Sequence, residues 1–387
     1  SGIISEMVKL PEFISYLKLR TSYTEVGSPI TQTGITPGTV TDPMSGGVIN
    51  PISTYPYPDF KPERTKSYEV GINARFLNGR ISFDGTFYQS NTYNQTFLSV
   101  MSPATGYSGF YVQAGNVRNR GVEMTLGYND TFGKVNYSTH LTYTANQNKI
   151  VEMVHDYRNP IDNSLVNITE LTLKEAGDVY LREGYSMSDV FTTGILQRGR
   201  DGKLVEEGNG YQVDRSQRIR LGSADPDFTM GWRHDINYKN ISLGLMITGR
   251  FGGIVTSQTQ AFMDAFGVSK VSAEARDNGG VMLDGHRYDA ERYYNTVGGQ
   301  GLMSYYTYDA TNVRLQELSL TYSLPKKWLG DVFNNATISF VGRNLFMFYR
   351  KAPFDPDMNG STGTYNRSDF FMAPSLRNLG FSIKFSL

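Results

Sequence analysis

A strict period of two runs through this chain and constrains it more than any other feature. In "SYLKLRTSYTE", Leu17, Leu19, Thr21 and Tyr23 oppose Lys18, Arg20, Ser22 and Thr24. In "SYEVGINARF", Tyr68, Val70, Ile72, Ala74 and Phe76 oppose Glu69, Gly71, Asn73 and Arg75, and a tight turn is expected at Asn78-Gly79. The pattern returns at Ile81–Tyr88, Val122–Tyr128, Val135–Thr144, Phe228–Tyr238, Ile241–Ile247, Val313–Tyr322, around Ile338 and Phe340, and at Leu379–Leu387. Val313 and Leu315 sit on the opposite parity from Leu318, Leu320 and Tyr322, which predicts a bulge near Gln316. About ten such stretches emerge. Several exceed the five or six residues usual in globular sheets and reach the length that crosses a bilayer at a tilt.

Connection lengths alternate as regularly as the strands. Short turns are expected at 77–80, 129–134, 239–240 and 324–335, and long connections at 27–65, 93–112, 149–225, 253–310 and 350–376. Short turns at one end and long loops at the other are the signature of an outer-membrane barrel. A compact soluble domain has little use for structureless loops of that size.

Composition decides between kinds of membrane protein. Charged residues are 19%, aromatics 13%, and glycines number 40, yet the chain shows no run of 18 apolar residues. That combination suits strands with one apolar and one polar face, not membrane helices. Net charge is +0, so nothing favours a nucleic-acid partner. Cys is absent, which removes disulfides and thiolate metal sites.

The faces suggest roles. The apolar stripe would meet lipid, and Arg20, Glu69, Arg75, Asp84, Glu123, Arg233 and Asp235 would line a wet lumen. His234 is the exception on the apolar stripe and is expected near an interface. Tyr and Phe gather at strand ends (Tyr68, Phe76, Tyr128, Tyr143, Tyr238, Tyr322, Phe346, Tyr349), as interfacial belts do.

At this point several stretches resemble one family: "FISYLKLRTSYTEVGS", "KPERTKSYEVGINARFLNGRISFDGTFYQSNT", "AGNVRNRGVEMTLGY", "VDRSQRIRLGSADPDFTMGW", "VRLQELSLTYSLPKKWL" and "SFVGRNLFMFYRKAPFDPDMN". They are similar to the C-terminal barrel half of SusC-like (RagA-like) TonB-dependent outer-membrane transporters of Bacteroidetes. The resemblance implies an all-β fold: the last strands, roughly ten, of a transmembrane antiparallel β-barrel of about 22 strands. Residues 1–387 would be one barrel segment, with the plug domain and TonB box expected outside it. The implied location is the outer membrane and the implied work is TonB-dependent import of nutrient oligomers, oligosaccharide first and oligopeptide second. Implied partners are a SusD-like surface lipoprotein lid, TonB, the remainder of the same barrel, and the lipid and lipopolysaccharide around it. The calcium-like acidic run of many relatives is absent from "GRDGKLVEEGNGYQVDR", so no calcium is expected there.

No catalytic group, metal site or cofactor is expected. The four His are scattered, "GYSGF" is not a nucleophile elbow, and "GGQGLM" and "GNGYQV" are not phosphate-binding loops. "ADPDF" (224–228) and "FDPDMN" (354–359) read as turns more readily than as ion sites. For cargo, "DGHRYDAERYYNTVGGQGLMSYYTYD" offers Tyr288, Arg292, Tyr293, Tyr294, Tyr305 and Tyr306 as a stacking and hydrogen-bonding surface, with packing against neighbouring loops or a lid as the competing reading. The preceding segment 257–279 has helical spacing. A non-transporting barrel (adhesin or barrel enzyme) and a soluble β-sandwich binding module stay open as alternatives.

Overall fold

The computed structural model describes the chain apart from residues 30–38, 43–47, 52–53, 56–59, 159–163, 174–178, 331–332, 358–367 and 387. Ten long strands form one antiparallel sheet in chain order. They are β1 (Ile14–Ser28), β2 (Glu63–Phe76), β3 (Ile81–Tyr93), β4 (Asn116–Phe132), β5 (Val135–Glu152), β6 (Phe228–Tyr238), β7 (Ile241–Phe251), β8 (Asn312–Ser323), β9 (Asn335–Arg350) and β10 (Asn378–Ser386). A two-residue strand, Gly2–Ile3, pairs with β1 and makes the sheet 11-stranded. Every ladder joins sequence neighbours, as an up-and-down meander requires. Leu387, the last residue of the alternating C-terminal stretch, lies outside the described residues.

Turns at one end are tight. Phe132 pairs with Val135, so β4 and β5 run through most of the expected 129–134 turn and leave only Gly133 and Lys134 to close it. Tyr238 pairs with Ile241 across Lys239-Asn240, where Lys239 takes a left-handed φ of 52°. The loop between β2 and β3 holds Leu77, Asn78 and Gly79 all at positive φ, one residue more than the Asn-Gly signal alone foretold. Met246 pairs with Glu317 and Ile247 with Leu315, so Gln316 is the bulged residue and Leu315 and Leu318 share a face.

The register sorts the side chains. Leu19, Ile72, Met124, Tyr143, Met230 and Leu245 lie on one face, and Phe340 and Phe381 continue it at the far edge. This face is bare: Val70 is 57% exposed and Phe381 68%. Among the described residues no second sheet packs over it, as one would in a sandwich. The buried apolar residues lie mostly in the loop layer beyond the strands, in clusters built around Val112–Ile150–Leu181, Tyr288–Tyr294–Tyr306 and Val255–Ala310–Ala352. A soluble protein does the reverse, covering its sheet and leaving its loops open. An apolar face of this extent fits a hydrocarbon surround.

Candidate functional site

The polar face of the sheet is one half of the site. Cross-strand pairing places Arg20, Glu69, Arg75, Asp84, Glu123, Arg233 and Asp235 on the same face, opposite the apolar one. Arg20 binds Asp84 through both terminal nitrogens, at 2.9 and 2.8 Å, and donates to Thr86 at 2.8 Å. Asn73 adds a third donor to Asp84 at 2.7 Å. The guanidinium lies across Gly71, where a Cβ would stand 2.8 Å from Arg20 Nε, so this strand position takes no larger residue without moving the arginine. Arg233 and Asp235, two residues apart on β6, pair at 2.8 and 2.9 Å. Glu69 accepts from Ser22 at 3.5 Å, and Arg75 lies over the Tyr16 ring at 5.5 Å. Glu317 and Arg343, from β8 and β9, extend the face with a further pair at 2.9 Å. The result is a wall of mixed charge with dense hydrogen-bonding capacity. His234 lies on the apolar face, where its Nδ1 is 2.8 Å from the Tyr137 hydroxyl and its ring packs on Trp232. Its polar atom is thus partnered at the surface.

The loop layer is the second half. Residues 258–297 form three short helices, α1 (Gln258–Ala265), α2 (Lys270–Asp277) and α3 (Ala290–Val297), capped by Ser257, Ser269 and Asp289. Each cap accepts from a backbone amide in the first turn, at Gln260, Ser272 and Arg292 respectively. The structure brings the six loop residues singled out from sequence together, but as a packed core. Tyr288, Tyr293 and Tyr294 are buried, and Tyr306 is 3% exposed. Tyr288 accepts from the Leu204 amide and Tyr305 from the Leu196 amide, each at 3.1 Å. Arg292 pairs with Glu206 at 3.2 Å, donates to the Gly208 and Gly210 carbonyls, and covers the Tyr211 ring. The buried rings of Tyr288, Tyr293, Tyr294 and Tyr306 present no face for stacking a ligand, while Tyr305 and Arg292 are partly exposed. Burial raises the Tyr293 hydroxyl well above its ordinary pKa, and burial, then Asp264, pushes Tyr308 up to about 12.

Two Asp-Pro-Asp turns join wall to loops, a connection that composition alone does not show. Arg314 on β8 binds Asp355 at 2.8 Å and Asp357 at 2.6 Å. Arg250 on β7 reaches Asp357 at 3.7 Å and donates to the Ala224 carbonyl of the other turn at 2.6 Å. Burial alone would push the Asp355 carboxyl up; hydrogen bonds from Ser375, Arg314 and the Asp357 amide outweigh it and hold it below the usual range. Both turns are latched by arginines of the wall. Among the described residues no three His, Asp or Glu side chains converge in a way that could hold a metal ion.

A cleft of about 800 Å³ opens between the upper parts of β4 and β5 and the segments around Tyr185 and Arg220. An aromatic patch, Phe262, Phe370 and Phe371, stands exposed on the loop layer with Phe266 beside it on the chain.

The sequence model described as "TonB dependent receptor-like, beta-barrel" matches residues 11–248. TonB-dependent receptor P3 of Formosa agariphila is 25% identical over 404 residues, covering 96% of this chain and 40% of the receptor. TonB-dependent receptor P26 of the same organism is 25% identical over 321 residues, 78% of this chain and 32% of the receptor. The chain therefore spans about two fifths of the first of these relatives. Among solved structures, the RagAB peptide transporter superposes with a TM-score of 0.71 at 17% identity, over 98% of this chain and 42% of that one. RagAB in the open-open state gives 0.70 at 18% identity, over 100% of this chain and 42% of that one.

Proposed function

This chain belongs to the TonB-dependent receptor-like β-barrel family, and from that premise we propose that it forms part of the wall and extracellular loop layer of an active importer in the outer membrane. The observation that supports this best is the register: ten long strands turn a continuous apolar face one way and a mixed-charge, hydrogen-bonding face the other. The first face suits lipid and the second a wet lumen through which a polar solute passes. The seven charged residues of the inner face are proposed to line that lumen, Arg20, Asp84, Arg233 and Asp235 as fixed, mutually neutralised pairs.

The cargo proposed is a nutrient oligomer, oligosaccharide first and oligopeptide second, because hydroxyl and amide groups match a hydrogen-bonding wall on which Arg20–Asp84, Arg233–Asp235 and Glu317–Arg343 already neutralise one another. A SusD-like lipoprotein is the proposed lid, with Phe262, Phe266, Phe370 and Phe371 as the apolar surface it would cover. The plug and TonB-binding segment, which would couple import to the inner membrane, are proposed for the rest of the polypeptide. The loop tyrosines are proposed to hold the loops in shape rather than to touch cargo directly, since their rings are buried in the loop core.

The test is uptake by cells carrying the full-length protein, with oligosaccharide and oligopeptide pools offered separately and TonB present or deleted. TonB-dependent depletion of one pool is expected. Growth and uptake that ignore both the protein and TonB would overturn the reading.

A further inference from the structure

We propose that the edge of β5 between Thr144 and Ile150 is a binding site for a short extended oligopeptide, which joins the sheet there as an added strand. The site and its mode of recognition go beyond the import reading, because binding at this edge requires no particular fate of the peptide afterwards.

The ladder comes first. β5 and β6 pair upward as far as Thr144 and Thr229 and then part. Just before β6 the chain is bonded to β7 instead, with the Asp227 amide donating to the Phe251 carbonyl at 2.9 Å. The edge of β5 is closed again at Ile150. Its amide donates to the Tyr185 carbonyl and its carbonyl accepts from the Gly184 amide, each at 2.8 Å. The backbone groups of successive residues in a strand point alternately to its two edges. Ile150 directs its pair away from β4, so Asn148 and Asn146 do the same, while Ala145, Gln147 and Lys149 serve the ladder to β4. Asn146 and Asn148 each offer one N–H and one C=O at this edge, and among the described residues those four groups have no partner. An open strand edge is a template for another strand.

The edge is held in shape by its side chains. Asn146 accepts from the Tyr88 hydroxyl at 3.1 Å. Asn148 accepts from the Met187 amide at 2.8 Å and the Ser186 hydroxyl at 3.2 Å, and donates to the Asn119 side chain at 2.9 Å. A template fixed in this way loses little freedom when a ligand binds.

Size and charge select the occupant. One residue of an added strand takes about 3.4 by 4.8 by 10 Å, or roughly 160 Å³. The cleft of about 800 Å³ along this edge therefore has room for about five residues. The stretch from Thr144 to Ile150 rises about 20 Å, the length of a strand of that size. Pairing closes it at both ends, so the site suits a short peptide and not the middle of a longer strand. The lining carries both signs, with Arg120 and Lys149 on one wall and Asp189, Arg220, Asp225 and Asp227 on the other. Arg220 already neutralises Asp189 at 2.7 Å, and Ser188 donates to Asp225. Mixed charge around open backbone donors and acceptors matches a peptide with an ammonium at one end and a carboxylate at the other.

Hydrogen exchange and calorimetry of the full-length protein in detergent test this, with pentaalanine bearing free termini as the probe and the same peptide N-methylated at every amide as its partner. Pentaalanine is expected to bind saturably with a Kd below about 1 mM, and to slow exchange at 145–149 while leaving 230–238 unchanged. The N-methylated peptide is expected to bind at least about 10-fold more weakly, since it donates no backbone hydrogen bond. Asn146→Pro removes one N–H from the open edge, where proline is tolerated, and is expected to weaken pentaalanine about 5-fold. Asn146→Ala keeps that N–H and is expected to stay within about 2-fold of wild type. Absence of saturation, equal affinity for the two peptides, protection elsewhere than 145–149, or equal losses in the Ala and Pro variants each overturns the proposal. Should the Pro variant fail to fold, the two peptides on wild type decide alone. None of these readouts involves TonB or uptake, so a failure of import leaves the site standing, and peptide import without protection of this edge overturns the site and leaves the import reading intact.

Discussion

Arg314 and Asp355, 41 residues apart in the chain, meet at 2.8 Å with side-chain exposures of 7% and 12%. The arginine belongs to the barrel wall and the aspartate to the loop beyond β9, so one buried ion pair fixes a loop to a strand. The same guanidinium holds Asp357 and bonds Asn312 and Asn344, which satisfies its donors at a depth where an unpaired charge would be costly.

Replacing Arg314 by Ala strands the Asp355 carboxylate and is expected to cost about 3–5 kcal/mol of local stability. The long strands should stay folded, because the latch lies outside their ladders. Hydrogen exchange is therefore expected to rise in the segment around 354–357 and at 368–376 and to stay unchanged in β4 and β5. Uniform protection in the variant would show that the pair holds nothing.

Acid should act through the same latch. The folded Asp355 carboxyl titrates below its ordinary value, so its contribution is complete above the usual carboxylate range and is lost as pH falls through the depressed folded value. Loop proteolysis at pH 3 is expected to exceed that at pH 7, and Asp355→Asn should flatten the dependence. At the alkaline end Tyr308 and Tyr180 are both expected to ionise near pH 12, so the late step in ultraviolet titration should shrink, and not vanish, in Tyr308→Phe.

The buried tyrosines separate two roles. Tyr306→Ala removes a ring from a closed core and is expected to cost about 3–5 kcal/mol in the loop layer. The readout is loop protection without cargo. A variant with normal loop protection and weakened cargo binding would instead assign this ring to the cargo.

Neighbouring residues on one strand should respond oppositely to charge. Leu126→Arg faces lipid and is expected to cost about 2–4 kcal/mol, while Thr125→Arg faces the other way and should cost little. Folding of the full-length protein into vesicles, followed by gel mobility with and without heating, measures both. Equal tolerance at the two positions would reverse the assignment of faces.

Much of this was legible in the sequence. Alternation reports a local property, the pleat, which points successive side chains to opposite faces whatever else the chain does. Hence the ten strands, the tight Lys239-Asn240 turn and the bulge at Gln316 could all be read from residue order. Loop packing is less legible in residue order. The tyrosines of 288–306 were visible as a cluster, but whether their rings faced outward depended on Leu196, Leu204 and Tyr211, some 80 to 110 residues away in the chain. The two Asp-Pro-Asp turns were likewise recognisable as turns, but their arginine partners were not.

By itself the sequence determined the strands, their faces and the membrane they suit, because these follow from the spacing of apolar residues along a few neighbouring positions. Only the tertiary structure decided which loop groups are closed off and which arginines of the wall latch which turns. Burial and pairing depend on what distant segments bring to the same point, and no local period records that.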